Sequence, residues 1–290
     1  MSRYLILLLT VLPVLLQAQN TGNSKFPRFG IVTDVHYADR IDDGQRAYQE
    51  STAKLQECVD TMNHYNVDFL IELGDFKDMS FPVSDERTLI FLYRIEKVFS
   101  GFRGSRYHVL GNHDEDCISK AQFNEIATNT GIPAEKTYYS FDRKGVHFVV
   151  LDANYDSTGK DFEKGNFNWG DPNIPAKELK WLRKDLRKAR GPVVVFCHQL
   201  LDEASAYAVN NAEEARKIME KSGKVRAVFQ GHYHEGKYRL VNGIHYYVLK
   251  AVIEGSGAEN NSYAIVDING ESIEIKGFRR AQSMMLSIPR

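Results

Sequence analysis

The chain has 290 residues with 37 basic and 38 acidic side chains, which gives a formal net charge of −1. A balanced charge provides no long-range attraction for a polyanion, so we expect no nucleic-acid partner. Hydrophobic residues make up 43% of the chain and charged residues 26%, which is ordinary for a folded protein of this length, large enough for one sizeable domain.

The N-terminus differs from the rest of the chain. Arg3 is followed by an uncharged, mostly apolar run over residues 4–16, and an alanine soon follows. A basic start, a short apolar region and a small residue are typical of a secretory signal peptide, and the run is shorter than the roughly 20 residues of a membrane span. We predict a signal peptide over 1–18, with an uncleaved anchor as the alternative, a disordered leader over 19–25, and one domain over 26–290. The mature protein would then be secreted or periplasmic.

Apolar runs and helical periodicity alternate through most of the chain. Strand, helix, strand order of this kind implies parallel pairing through right-handed crossovers, so we predict an α/β fold. The predicted strands cover residues 29–33, 69–73, 107–110, 193–197 and 225–230. The predicted helices cover residues 46–65, 88–99, 175–189 and 211–221. A predicted hairpin joins residues 138–141 to residues 146–151.

The last part of the chain changes character. Asn242-Gly243 and Asn269-Gly270 each separate two apolar stretches, and Asn-Gly in this position is the strongest short signal for a hairpin. We therefore predict an antiparallel meander at the C-terminus rather than further strand, helix, strand units. Two sheets, each faced by helices, would accommodate all of these elements.

Polar residues collect where the predicted strands end. Five apolar runs are followed directly by side chains that can bind metal or hydrogen-bond: Asp34 and His36, Asp75, Asn112 to Asp114, His198, and His232 with His234. Because ligands of an open α/β sheet bind beyond the carboxyl ends of its strands, we expect these side chains to form one site. Each short motif alone is equally compatible with an ordinary polar turn, and only their shared context indicates a site.

Histidine and carboxylate groups in such a cluster indicate bound metal. Neutral imidazoles and carboxylates suit divalent manganese, iron and zinc, and a buried cluster of this kind without cations carries an unfavourable desolvation cost. A carboxylate can bridge two ions, and two ions roughly 3.5–4 Å apart clamp the attacking and leaving oxygens of a displacement at phosphorus. The residue types therefore favour two-metal hydrolysis.

Taken together, the motifs resemble those of the calcineurin-like metallophosphoesterases. The matching segments are Asp-x-His at 34–36, Gly-Asp-x-x-Asp at 74–78, Gly-Asn-His-Asp at 111–114, a later histidine after an apolar strand at 198, and Gly-His-x-His at 231–234. The resemblance implies a four-layer α/β/β/α sandwich of two mixed sheets flanked by helices. It also implies a two-metal centre at the C-terminal ends of the strands.

The same resemblance implies a ligand set for two divalent ions, which would be manganese, iron or zinc. The first ion takes Asp34, His36 and His234, the ligand that bridges both ions is Asp75, and the second ion takes Asn112, His198 and His232.

His113 would not be a ligand in this scheme. It would face the leaving-group oxygen, as a general acid or as a donor to developing charge, while a hydroxide shared by the ions attacks in line. Asp114 would orient or charge His113, and a loop-capping carboxylate is the equally open alternative. Purple acid phosphatases of this superfamily carry a tyrosine ligand three residues after the bridging aspartate. Asp78 stands there in this chain, so we expect no purple ferric centre and predict that Asp78 supports the ligands or the loop.

A narrower resemblance concerns the substrate. Residues 29–39, 151–153 and 251–255 resemble the manganese-dependent ADP-ribose/CDP-alcohol diphosphatases. This resemblance favours manganese and a nucleotide-type pyrophosphate or a related phosphoester, although that subgroup often has glutamine in place of His36. Tyr233, between two ligands, is a candidate for stacking on a base or sugar, with loop packing as the alternative.

Two functions of other classes stay open at this point. The chain could be a metal-bearing binding or scaffold protein of the same fold whose centre no longer catalyses a reaction. It could also be another two-metal hydrolase, such as an amidase, because chemistry does not follow from fold alone. His113 favours the phosphoesterase over a scaffold, since a purely structural metal site does not need it.

Overall fold

The computed structural model describes residues 25–288, in which amphipathic helices and apolar strands follow one another up to residue 230 and strands predominate after it. The predicted signal peptide over 1–18 lies outside the described residues, as does the predicted leader over 19–25 except for its last residue. The strands are β1 (Arg28–Val32), β2 (Phe69–Glu72), β3 (Ser105–His108), β4 (Tyr139–Arg143), β5 (Val146–Val150), β6 (Val193–Phe196), β7 (Val225–Gln230), β8 (Lys237–Val241), β9 (Ile244–Val248), β10 (Ser262–Ile268), β11 (Ser272–Arg279) and β12 (Met284–Ser287). The helices are α1 (Ser51–Tyr65), α2 (Asp85–Phe99), α3 (Lys120–Ile126), α4 (Ala176–Lys188) and α5 (Ala212–Ser222).

These strands form two mixed sheets of six strands each within residues 25–288. The first sheet has the order β12-β11-β10-β1-β2-β3, and the second has the order β4-β5-β6-β7-β9-β8. Strands β1 to β3 are parallel, as are β5 to β7, and each of these neighbours is joined through a helix. Parallel strands need such a crossover because a tight turn cannot connect them.

Aromatic side chains fill the space between the two sheets. Phe29 and Phe69 stack with their ring centroids 4.8 Å apart, and Phe148 and Phe196 of the second sheet meet Phe29 edge-on at 5.5 and 5.9 Å. Helices α1, α2 and α3 cover the outer face of the first sheet, and α4 and α5 cover that of the second. The layers are therefore helix, sheet, sheet and helix, which confirms the predicted α/β/β/α sandwich.

Helix α1 illustrates how sequence periodicity builds an outer layer. Its buried residues Leu55, Cys58, Val59 and Met62 recur at intervals of three or four positions, so they form one face that packs on the first sheet. Burial of an aliphatic side chain of this size contributes roughly 1.5–3 kcal/mol. No helix within residues 25–288 combines the length and the apolar character that a membrane crossing needs.

The C-terminal arrangement differs from the sequence prediction. Both hairpins form as predicted, but the single meander is wrong: β8 and β9 extend the second sheet, with β9 parallel to β7, whereas β10 to β12 extend the first. An Asn-Gly turn fixes only the local pairing of a hairpin, so it carries no information about the sheet that the hairpin joins. In addition, α1 begins at Ser51 rather than at residue 46, because the N–H of Ala47 donates to the carbonyl of Ile253 at 3.0 Å.

His147 of β5 connects the neighbouring strand β4 to helix α4. Its Nδ1 lies 2.8 Å from Asp142 of β4, and its Nε2 lies 2.7 Å from Asp185 of α4. Burial of the ring opposes protonation, but the hydrogen bonds to Asp185 and Asp142 outweigh burial and raise the pKa of His147 above its ordinary value. The protonated imidazole therefore stabilises the folded state.

The contribution of His147 should depend on pH. Because the pKa of His147 is raised on folding, its stabilisation is complete below the unfolded-state pKa of about 6.5 and is lost as pH rises through the higher folded-state pKa. We expect His147→Gln to lower the free energy of unfolding by about 1–2 kcal/mol at pH 6 and by clearly less at pH 9. Urea unfolding at both pH values measures this, with exposed His64→Gln as the control. An equal loss of unfolding free energy at pH 6 and at pH 9 would contradict stabilisation by the protonated form of His147.

Candidate metal centre

The polar segments that follow β1, β2, β3, β6 and β7 meet at one edge, where both sheets contribute strand ends. Four of the predicted ligands there have a left-handed backbone: Asp34 (φ 52°), His36 (φ 46°), Asp75 (φ 57°) and His232 (φ 66°). This conformation costs on the order of 1–3 kcal/mol at a non-glycine residue, so the surrounding contacts must hold it. The N–H of Asp34 donates to Gly74 at 3.0 Å, and that of His36 donates to the carbonyl of Asp75 at 2.9 Å.

Two motif glycines allow the strand ends to approach this closely. A Cβ atom on Gly111 would overlap the backbone nitrogen of Asp75, and one on Gly231 would overlap the hydroxyl of Thr33. Any larger residue at either position would push the first two ligand-bearing loops away from the others. The glycines of Gly-Asn-His-Asp and Gly-His-x-His are therefore required by close backbone contact.

One group of ligand atoms joins the two sheets at Asp34. Metal-binding atoms of Asp34, His36 and His234 all lie within 4.8 Å of one another. The Nε2 of His234 is 3.4 Å from Asp34 Oδ1, and the Nε2 of His36 is 3.8 Å from the same oxygen. Glu254 lies 2.6 Å from the Nδ1 of His234, so it can accept that proton and leave Nε2 facing Asp34. This group matches the predicted ligands of the first ion.

A second group lies around Asp75. Metal-binding atoms of Asp75, His198 and His232 are also within 4.8 Å of one another. The Nε2 of His198 is 3.1 Å from Asp75 Oδ2, while its Nδ1 lies 2.8 Å from the carbonyl of Leu73, to which it donates. The same oxygen of Asp75 is 3.5 Å from the Nε2 of His36. The carboxylate of Asp75 thus lies between the two groups, where the bridging ligand is predicted.

The buried polar atoms of the centre fit divalent cations. Among the described residues, the Nε2 atoms of His36, His198 and His232 and the Oδ1 of Asn112 have no hydrogen-bond partner, although such atoms are almost always paired when buried. Ligand atoms that share an ion at bonds of about 2.1 Å lie about 3–3.5 Å apart, close to the spacing at Asp75. Nitrogen and oxygen donors of this kind suit manganese, iron and zinc.

The charges of the centre are consistent with this fit. Burial opposes ionisation of Asp34, but hydrogen bonds from His234 and His36 lower the pKa of Asp34 well below its ordinary value. Burial likewise opposes ionisation of Asp75, while the charges of His198 and His113 lower its pKa. Burial and the charge of His198 lower the pKa of His232 to about 3, which keeps its imidazole neutral. Ionised carboxylates and a neutral His232 are the protonation states that metal ligands need. Burial opposes protonation of His198 and His234, but the carboxylates of Asp75 and Asp34 raise the pKa of each to about 9, so metal binding would release a proton from each of these imidazoles.

His113 lies beside the first group on a short 3₁₀ turn over Asn112–Glu115. Its Nδ1 is 2.7 Å from Asp78 Oδ1, which is also 3.3 Å from the Nδ1 of His36. Burial opposes protonation of His113, but the charges of Asp78 and Asp75 raise the pKa of His113 well above its ordinary value. With 24% of its side chain exposed, against 17% for His234, His113 is more accessible to solvent and to a ligand than the histidines of the first group.

Asp114 has a different set of contacts. Its carboxylate accepts hydrogen bonds from the backbone N–H groups of Gly111 at 2.8 Å, Asp75 at 3.0 Å and Phe76 at 2.9 Å. Of the two roles that the sequence leaves open for Asp114, these contacts are those of the loop-holding carboxylate, and the carboxylate paired with His113 is Asp78. In the sequence, the second aspartate of the Gly-Asp-x-x-Asp motif was the feature that could have indicated the pair of Asp78 and His113.

Several residues of the centre were not assigned a role from the sequence. Glu254, which contacts His234, lies within the segment 251–255 that was noted only for its resemblance to a subgroup. Phe167 lies 5.7 Å from the ring of His113, and Trp169 lies 6.3 Å from the ring of His232. Both aromatic residues belong to a long loop between β5 and α4, whose shape no sequence pattern specifies.

Known proteins resemble this chain in sequence and in fold. The manganese-dependent ADP-ribose/CDP-alcohol diphosphatase of Arabidopsis thaliana is 28% identical over 88% of this chain and 95% of its own length. A dimetal phosphatase structure from Danio rerio has a TM-score of 0.79 at 19% identity, covering 91% of this chain and 99% of its own. A purple acid phosphatase from yellow lupin seeds has a TM-score of 0.61 at 14% identity, covering 91% of this chain and 54% of its own.

The family assignment rests on a longer match than any single motif. The family profile described as calcineurin-like phosphoesterase matches residues 27–236, which include every predicted ligand. That range begins just before β1 and ends just after the last ligand-bearing loop. The chain is therefore a metal-dependent phosphoester hydrolase, and it belongs to the calcineurin-like phosphoesterase family.

Proposed function

We propose that the centre hydrolyses a nucleotide-type pyrophosphate or a related phosphoester with the help of two divalent ions, of which manganese is favoured. The observation that carries the proposal is that the buried, unpaired Nε2 atoms of His36 and His198 lie beside the carboxylates of Asp34 and Asp75. The substrate class and the metal are supported by the similarity to a diphosphatase whose name specifies manganese and two substrates, ADP-ribose and CDP-alcohols.

The aspartate and histidine ligands divide between the two ions as the two groups do, and Asn112 is added to the second ion from the family resemblance. Asp34, His36 and His234 would hold one ion, Asn112, His198 and His232 would hold the other, and Asp75 would bridge them. The ions would supply positive charge to the phosphoryl oxygens and acidity to a water molecule. Glu254 and the carbonyl of Leu73 would keep the proton of their histidine partners on Nδ1, so that Nε2 stays free to bind.

His113 would act on the leaving group. The carboxylate of Asp78 lies 2.7 Å from the Nδ1 of His113, which leaves the other ring nitrogen on the side away from Asp78. A proton or a hydrogen bond from that nitrogen would stabilise the negative charge that develops on the departing oxygen. A non-catalytic scaffold of the same fold, the alternative function, would have no use for a histidine held by a buried carboxylate beside the ligands.

Export is a separate proposal that rests on the sequence alone. A basic start, an uncharged run over residues 4–16 and a small residue after it support removal of a signal peptide over 1–18 and a secreted or periplasmic location. Intact-mass measurement of the protein expressed with its own N-terminus in a secreting host tests this. We expect a mature chain that begins near residue 19, and an intact Met1 in the exported fraction would contradict the cleavage.

Metal replacement should identify the reaction. The protein is stripped with a chelator, refilled separately with Mn²⁺, Zn²⁺ or Mg²⁺, and assayed on p-nitrophenyl phosphate, bis-p-nitrophenyl phosphate, ADP-ribose and CDP-choline. We expect Mn²⁺ to restore hydrolysis, with kcat/KM for the two nucleotide diphosphates about tenfold or more above that for the monoester. Equal rates for all four esters would contradict the proposed substrate class. Two bound ions with no hydrolysis of any ester would favour the scaffold function.

Removal of His113 should slow the reaction without loss of metal. We expect His113→Ala to lower kcat by roughly 10²–10⁴-fold, because it removes the group that assists the leaving oxygen. Asp78→Ala should also lower kcat, because its carboxylate lies 2.7 Å from the Nδ1 of His113 and positions that ring. The loss should be smaller for p-nitrophenyl esters, whose leaving group needs no proton, than for ADP-ribose. Steady-state rates and metal content measure this, with exposed His64→Ala as the control. A full-rate His113→Ala enzyme would remove His113 from the mechanism.

A further inference from the structure

Two aromatic side chains from separate loops meet beside the second group of ligands. Trp169, from the loop between β5 and α4, and Tyr207, from the loop between β6 and α5, have ring centroids 6.1 Å apart. Their centroids lie 6.3 and 5.6 Å from that of His232, and Tyr207 also contacts Tyr233 at 5.2 Å. The two rings therefore stand at the rim of the metal centre.

These rings are not part of the hydrophobic core. Trp169 is 46% exposed and Tyr207 is 38% exposed, so both rings present apolar surface to solvent. The loops that carry them are joined, because the side chain of Asn210 donates to Asp171 at 2.7 Å and its N–H donates to the carbonyl of Pro172 at 2.9 Å. An exposed aromatic surface that is held in place beside a centre indicates a contact with a ligand.

The spacing of the rings decides what kind of ligand they can take. A flat ring held between two others needs their planes about 7 Å apart, and a quaternary ammonium about 6 Å from each centroid needs a still wider cage. Trp169, Tyr207 and His232 already contact one another at 5.6–6.3 Å, so nothing fits between them. What remains is the exposed surface of Trp169, 46% of the residue, a platform on which a single flat ring can stack.

We propose that Trp169, supported by Tyr207, binds the base of a nucleotide substrate by stacking and so determines the specificity of the centre. The inference rests on the proposed function, whose substrate class it refines. The proposal places the base beside the second ligand group, which contains Asp75, His198 and His232. His113 lies beside the first group, with its ring centroid 4.9 Å from that of His36. A phosphoester without a base gains nothing from this platform.

Inhibition by two ligands that differ only in the base tests the proposal on the manganese-loaded enzyme. We expect Trp169→Ala to raise the inhibition constant of AMP and the KM of ADP-ribose roughly 5- to 150-fold. The inhibition constant of ribose 5-phosphate and kcat should change less than twofold, and Trp169→Phe should restore most of the affinity. Trp181, the other tryptophan of the chain, provides the matched control Trp181→Phe. An equal loss for AMP and ribose 5-phosphate would overturn the proposal.

Fluorescence gives a readout that does not require turnover. In the Trp181→Phe variant, Trp169 is the single indole, so its emission reports the platform alone. We expect AMP to quench this emission in the manganese-loaded protein and ribose 5-phosphate to leave it unchanged. No quenching by AMP would overturn the proposal. Quenching in a protein that hydrolyses no ester would retain the base site and reject the proposed function, so the two failures are distinguishable.

Discussion

The centre depends on one residue, Asp75, whose backbone and side chain bind four different parts of the site. Its carbonyl accepts the N–H of His36 at 2.9 Å, and its own N–H donates to Asp114 at 3.0 Å. One carboxylate oxygen accepts the N–H of His113 at 2.7 Å, and the other lies 3.1 Å from the Nε2 of His198. These bonds hold Asp75 in a left-handed conformation that is unfavourable by itself, and they fix both ligand groups and the leaving-group histidine relative to one carboxylate.

This arrangement is electrostatically unfavourable unless cations complete it. Asp34, Asp75 and Asp78 are all buried at the edge where the sheets meet, and removal of ionised carboxylates from water costs several kcal/mol each. The imidazoles of the ligands compensate only in part, because the buried Nε2 atoms of His36, His198 and His232 have no hydrogen-bond partner among residues 25–288. Metal binding would provide partners for these nitrogen atoms and balance the charge of the carboxylates, so metal affinity and the stability of the fold are expected to be coupled.

The sequence predicted two sheets faced by helices and a polar cluster at the strand ends because both follow from local order, whereas the four-layer arrangement was implied by the family resemblance. Apolar runs followed directly by polar residues identify strand ends, and parallel strands bring those ends together whatever the remaining contacts are. The partner of His113 required three-dimensional information. Asp114 is its neighbour in the chain, but the fold turns Asp114 toward the N–H groups of Gly111, Asp75 and Phe76 and brings the distant Asp78 to the ring of His113 instead. Trp169 was beyond prediction for a similar reason, because its position depends on the shape of a long loop.

The two sheets contribute differently to the centre. Each ligand group combines residues from both sheets: Asp34 and Asp75 follow strands of the first, and His198 and His234 follow strands of the second. The distance between the sheets, set by the aromatic packing between them, therefore sets the distance between ligands. His113 comes from the first sheet, whereas the loop that carries Trp169 comes from the second. Changes in that loop can therefore alter the ligand that is recognised while the residues proposed for catalysis keep their positions.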